Sequence, residues 1–222
     1  GVLVLLLSAG GCTSFELFRR WVVSDKKILE LEKATKQTEL QQLKKQINPH
    51  FLFNMLNNAN ILVKDAPDEA SQILEKLDNL LRYQLNDSTR REVFLTADIQ
   101  FLTSFLELEK VRRDHFEYTI FQEGNMENIC IPPLLFIPFV ENAVKHNLDS
   151  DNLSYVHLYF SVHNKQLTFR CENSKPRVPV KREGGIGLAN VKRRLDLLYE
   201  SRYTLQIEDK ETTYNVNLHL NS

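Results

Sequence analysis

Gln46-Ile47-Asn48-Pro49-His50-Phe51-Leu52-Phe53-Asn54 sets one histidine directly behind a proline at the head of an apolar helix. At about 100° per residue, Phe51, Leu52, Met55, Leu56, Ala59, Leu62 and Val63 share one broad arc, and His50 falls on the opposite side. Gln46, Asn54 and Asn57 flank it, so the imidazole is expected in a polar, uncharged stripe open to solvent. Pro49 has no N–H and clashes with the carbonyl four residues back, so it either kinks a continuing helix or starts a new one capped by Asn48. By itself this segment is equally satisfied by a surface histidine on a core helix. Motifs further along the chain turn the reading toward chemistry.

Upstream, residues 1–18 hold Val2-Leu3-Val4-Leu5-Leu6-Leu7 and one charge, Glu16, ahead of Arg19-Arg20-Trp21. A bilayer crossing takes about 20 apolar residues, and this stretch reads as the end of a transmembrane helix. A signal peptide would need a basic start, and a lipoprotein site at Cys12 would want leucine where Ala9 stands. Residues 19–45 carry eight basic side chains against four acidic, a net of +4. That bias places the chain beyond residue 19 on the cytoplasmic side. With no Gly or Pro, residues 25–45 are expected to form a helix, and a seam of Ile28, Leu31, Thr35, Thr38 and Gln42 that turns polar as Leu40, Leu43 and Ile47 begin a fresh one suits a weak coiled-coil connection. Opening on Gly1 rather than Met, the chain is expected to be part of a longer protein.

Downstream, Pro67-Asp68-Glu69 is a helix start, followed by the stripe Ala70, Ile73, Leu74, Leu77, Leu80, Leu81 and Leu85. Two such helices form an antiparallel hairpin with too much apolar surface for one copy to bury. Two copies can make a four-helix bundle, so a homodimer through the hairpin is expected. After the polar break Asn86–Arg91, Thr96 can cap a helix over about 97–113, with Ile99, Leu102, Phe105, Leu106 and Val111 facing in. Helix, strand, helix, hairpin, helix, hairpin then follow, an order that describes an α/β sandwich with helices on one face of a mixed sheet.

The whole chain of 222 residues is 42% hydrophobic and 26% charged, enough for one large or two small globular domains. A formal net charge of −1 gives no electrostatic case for direct nucleic-acid binding. Cys12, Cys130 and Cys171 match no zinc spacing and make no disulfide framework.

On the helix opened by Pro132-Pro133, Phe136, Val140, Ala143 and Val144 point one way, while Asn142, Lys145, His146 and Asp149 cluster on the other. A carboxamide beside two potential cations suits a metal-bound triphosphate, although such a cluster is also what a plain solvated face looks like. Leu167–Glu172 alternates as a strand and ends at Asn173-Ser174. A polar loop over 174–183 runs into Gly184-Gly185-Ile186-Gly187-Leu188-Ala189-Asn190-Val191, then the stripe Leu188, Val191, Leu195 and Leu198. Glycines just ahead of a helix let backbone N–H groups approach an anion.

The string at 46–54 resembles, residue for residue, the phosphoacceptor motif of the LytS/YehU-like sensor histidine kinases, a bacterial two-component family. Glu141-Asn142-Ala143-Val144-Lys145-His146 is similar to the N-box of their GHKL-type ATPase domain, and the turn at 184–191 with Lys192-Arg193-Arg194-Leu195 to its G-box. The resemblance covers about residues 40–208. It implies that His50 takes the γ-phosphoryl group of ATP, that Asn142 ligates Mg²⁺, and that Lys145, His146, Gly185, Gly187 and Leu188 lie along the nucleotide. Asn173 stands where relatives place the Asp that recognises adenine, keeping an acceptor but losing the charge. Ile137 replaces a frequent Gln, and Asn147 a Gly. Phe51 follows the histidine where many histidine kinases have an acid, so no general base is readable.

The expected organisation is α+β. It runs from the end of a transmembrane helix (1–18) through a helical linker (19–45) and a dimerisation and phosphoacceptor hairpin (46–90) to an ATP-binding domain (91–222). The implied activity is an ATP-dependent protein histidine kinase at the bacterial inner membrane, passing its phosphoryl group to a response-regulator aspartate. The rivals are a catalytically degenerate dimeric membrane scaffold and a GHKL ATPase. Pro138, where ATPase relatives place a water-activating Glu, counts against the second rival.

Overall fold

α1 (Pro49–Asp65) carries His50 near one end and closes on Lys64 near its negative end. The computed structural model describes residues 1, 35, 49–147, 152–164, 166–176 and 186–221, with the side chains at 49, 50, 186 and 187 excepted. The expected membrane segment and nearly all of the linker lie outside them. Residues 46–222 form one of two compact units.

A single residue, Ala66, separates α1 from α2 (Pro67–Asn86). Its N–H reaches the Leu62 carbonyl at 2.8 Å, and its own carbonyl accepts from the Ala70 N–H at 3.1 Å, so the reversal leaves neither group unpaired. Ala70, Ile73, Leu77, Leu80 and Tyr83 of α2 are buried. After a short 3₁₀ turn (Asp87–Thr89) and the two-residue β1 (Val93–Phe94) comes α3, Leu95–Arg112. α3 covers one side of the hairpin: Phe51 meets Phe105 with ring centroids 4.9 Å apart, and Tyr83 stacks on Phe101 at 4.8 Å.

One expected orientation is corrected, because Val111 of α3 faces out. Met55 and Ala59 of α1 are buried, but Leu56 and Val63 are exposed, as are Leu74 and Leu85 of α2. α2 and α3 cover less than the full apolar arc of α1, and the remainder faces out together with Phe53 and Ile61. Thr96 is not a cap. α3 begins one residue before it, and the Leu95 N–H is taken by the Ile129 carbonyl at 2.8 Å, continuing the pairing of β1 with β3 (Cys130–Ile131). That small two-stranded sheet was not anticipated.

The remaining strands are β2 (Phe116–Glu123), β4 (Ser154–His163), β5 (Gln166–Ser174), β6 (Tyr203–Asp209) and β7 (Thr213–Asn221). They form one mixed sheet in the order β2-β4-β5-β7-β6, antiparallel except for the parallel pair β2–β4. That pair is joined through α4 (Ile137–His146), and α5 (Ile186–Tyr199) connects the two hairpins. Alternation turns Val156, Leu158 and Phe160, Phe169 and Cys171, and Val216 and Leu218 toward the core. There Phe136 packs on Phe169 at 4.5 Å and edge-on against Phe160 at 5.2 Å. The expected α/β sandwich, with helices over one face of a mixed sheet, is the observed one.

Candidate functional site

α4 is fixed at both ends before any of its polar side chains come into play. Pro138 occupies its first turn, and Phe136, Phe139, Val140, Ala143 and Val144 are buried. At the far end Arg113 donates to the Val144 carbonyl at 2.6 Å and to Asn147 Oδ1 at 2.9 Å, while Asn147 Nδ2 donates to the Tyr155 carbonyl at 3.1 Å. Asn147 is fully buried with φ −102°, so the position needs no glycine. Its carboxamide ties the end of α4 to β4 and to the end of α3. Burial lowers the Arg113 pKa, partly offset by Glu109, whose carboxylate lies 3.3 Å from Arg113 Nε.

On this fixed helix Asn142 and His146 are half-buried and Lys145 is exposed, one turn apart on the side away from the core. Asp149 and Gly185 lie outside the described residues. Asn173, near the end of β5, is buried, and its Nδ2 donates to the Ser174 carbonyl at 2.8 Å. Its place in the alternation puts it on the helix-facing side of the sheet, with Cys171 and Phe169. Gly187 is the second residue of α5, and Leu188 packs half-buried against the core ahead of Val191 and Leu195. α4 and α5 pack against each other, and α4 rests on β4 and β5. His50 is the second residue of α1, between Pro49 and the half-buried Phe51.

The burial of three charged residues escaped the sequence reading. Glu141, next to Asn142, has its carboxyl pushed up to about 7 by burial, so it exchanges a proton near neutrality. Asp98 and Arg194 are buried. The signal was present for both: Asp98 shares a helical face with Leu102, Phe105 and Glu109, and Arg194 lies on the apolar stripe of Val191, Leu195 and Leu198. A charge at a core position calls for a buried partner, but its identity is a tertiary fact.

The described residues contain no group of three His, Cys, Asp or Glu side chains that could hold a metal unaided. A divalent ion beside Asn142 would therefore draw most of its oxygens from a phosphorylated ligand, the habit of Mg²⁺ rather than of a protein-caged metal. The carboxamide oxygen of Asn142 fits such an ion, and Lys145 and His146 fit the phosphate oxygens that would accompany it.

A helix pair that carries His50 and leads into a sandwich with an asparagine-lysine-histidine helix is similar to the histidine kinase class. Residues 38–116 match the family model for histidine kinase. Sensor protein LytS of Staphylococcus haemolyticus is 30% identical over 205 residues, covering 86% of this chain and 35% of that protein. Sensor histidine kinase YpdA of Escherichia coli is 31% identical over 119 residues, covering 54% and 21%, and sensor histidine kinase/phosphatase LytS of Staphylococcus aureus 32% over 115 residues, covering 51% and 20%. Within its class the chain is LytS-like, and it spans about a third or less of the length of these relatives. Among solved structures, the catalytic domain of histidine kinase ThkA overlaps 59% of this chain and 93% of its own at 15% identity and a TM-score of 0.45. The histidine kinase domain of the Erythrobacter litoralis blue-light activated histidine kinase overlaps 84% and 95% at 18% identity, also with a TM-score of 0.45.

Proposed function

We propose that this chain is the kinase core of a dimeric, membrane-tethered sensor histidine kinase that phosphorylates His50 from ATP and passes the group to an aspartate of a response regulator. The observation that carries the proposal is the convergence of three separate motifs on one layer. α4 with Asn142, Lys145 and His146 packs against α5 with Gly187, and both belong to the helical layer that Asn173 of β5 faces. Asn142 would hold Mg²⁺ through its carboxamide oxygen, and Lys145 and His146 would meet phosphate oxygens. The N-terminal turn of α5 offers backbone N–H groups to the same anion. Mg²⁺ held there would supply neutralisation of the phosphate charge. A ring nitrogen of neutral His50 forms the new bond to the γ-phosphorus as the bond to the ADP oxygen breaks, and ADP leaves with that electron pair.

The exposed apolar side chains of the hairpin, Phe53, Leu56, Ile61, Val63, Leu74 and Leu85, support pairing with a second copy. Among the described residues no helix is long and apolar enough to cross a membrane, so the tether is placed at residues 1–18 by their sequence alone. One observation favours a second reading, a scaffold that binds no nucleotide: buried Asn173 already donates to a neighbouring carbonyl and carries no charge for adenine. Incubation with γ-labelled ATP and Mg²⁺ separates the readings. Acid-labile label on the chain, lost in His50→Gln, supports the kinase. Free phosphate without protein label would indicate an ATPase, and no nucleotide binding would indicate the scaffold.

A further inference from the structure

Behind the nucleotide-facing residues, one fully buried charged cluster joins four parts of the chain. Asp98, in the first turn of α3, has no exposed surface. Its Oδ1 accepts from the Tyr83 hydroxyl of α2 at 2.5 Å and from the backbone N–H of Leu134 at 3.0 Å. Arg194 of α5 donates from Nη1 to the Leu134 carbonyl at 2.6 Å and from Nη2 to the Pro133 carbonyl. The Pro133-Leu134 segment is thus gripped on both sides, its N–H by the acid and its two carbonyls by the guanidinium fork. Leu134 sits at φ +56°, a left-handed conformation that a branched side chain resists without outside support.

Stability alone does not account for this arrangement. An apolar pair of similar volume usually holds a core at least as well as a buried acid and base. Here Asp98 Oδ2 and Arg194 Nε are also buried without a hydrogen-bond partner, a cost that calls for a compensating role. What the cluster adds is a fixed distance. α4 begins three residues after Leu134, and Arg194 stands two turns beyond Gly187 on α5. The guanidinium therefore spans directly from the helix that starts at the glycine turn to the peptide segment that launches the helix of Asn142. A point-charge lysine cannot reproduce a fork that reaches two carbonyls at once.

We propose that Arg194, which grips the same Pro133-Leu134 segment as Asp98, is a positioning residue for the nucleotide pocket, setting the gap between the Asn142 helix and the glycine-turn helix. This rests on the reading of α4 and α5 as walls of an Mg-ATP site, and Tyr83 fastens the His50-bearing hairpin to the same frame. The test uses the full 222-residue chain, with Mg-ATP as the probe. Arg194→Lys should raise the dissociation constant and the KM for ATP in His50 labelling by about tenfold, leaving kcat at saturating ATP within about twofold. Far-UV circular dichroism should be unchanged. Asp98→Asn keeps an acceptor for Tyr83 and Leu134 but removes the charge facing Arg194, and should raise both constants about threefold. It decides the matter if the lysine variant fails to fold. A merely structural cluster would lower the melting temperature and leave ATP affinity alone. Folded variants with wild-type affinity and KM would overturn the positioning role while leaving the kinase reading intact. A wild-type chain that binds no Mg-ATP would overturn both.

Discussion

Replacing Glu141 by Gln should stabilise the chain above neutral pH and leave it unchanged in acid. Burial lifts this carboxyl from 4.5 to about 7. The folded state therefore holds the proton more tightly than the unfolded chain does. The favourable contribution is complete below the unfolded value and is lost as the pH rises through the folded one. Each unit is worth about 1.4 kcal/mol, so the shift sets a ceiling of about 3 kcal/mol on the cost of the ionised form. Because the side chain is only half-buried, water removes part of that cost, leaving about 1 to 2 kcal/mol for the glutamine to recover at about pH 8. Urea unfolding of both proteins at about pH 3.5, below the unfolded value, and at about pH 8 measures it directly. The midpoints should coincide in acid, and the variant's should be higher in base. A gain of equal size at both pH values would mean that packing, not ionisation, is responsible. A loss in base would mean that the carboxylate is paired, and either result would refute the reasoning.

Arg113→Met removes the donor to Asn147 and Val144 and leaves the buried Glu109 with Arg112 alone, so the chain should lose about 2 to 4 kcal/mol in thermal or urea unfolding. A loss near zero would show that α4 does not depend on that cap. Asn173→Asp places a charge at a buried site and should cost about 1 to 3 kcal/mol without ligand. The same change should tighten Mg-ATP binding about tenfold by giving the adenine amino group a charged acceptor. Calorimetry showing no tightening would remove β5 from the adenine wall. Ile61→Glu, at a side chain 68% exposed in one copy, should convert a dimer to a monomer by light scattering, and an unchanged mass would rule out that face.

The elements were legible wherever local chemistry decides them. Pro67 announces a helix start because a missing N–H costs nothing there, and the alternation around Phe169 and Leu218 marks strands with one buried face. The sequence misled where a neighbour substitutes for a local signal. Thr96 has the chemistry of a cap, but the Ile129 carbonyl reached the helix end first. The arc from Phe51 to Val63 is apolar throughout, and periodicity does not say that α2 and α3 cover only part of it. Asn147 looked like a bare departure from glycine until its contacts with Arg113 and Tyr155 gave it a purpose. Of the candidate site residues, the spacing put Asn142, Lys145 and His146 on one side of a helix. The pairing of Asp98 with the peptide held by Arg194 joins residues almost a hundred positions apart and leaves no trace in local pattern.

Ala66 is the whole connection between the helix that carries His50 and the one that returns. With both of its backbone groups engaged by the helices on either side, it stores no slack, so one rod of the pair cannot slide lengthwise past the other. A force arriving at the Pro49 end has to tilt, twist or bend the two rods together. The Tyr83 hydroxyl, bonded to Asp98, passes such a movement on to the start of α3.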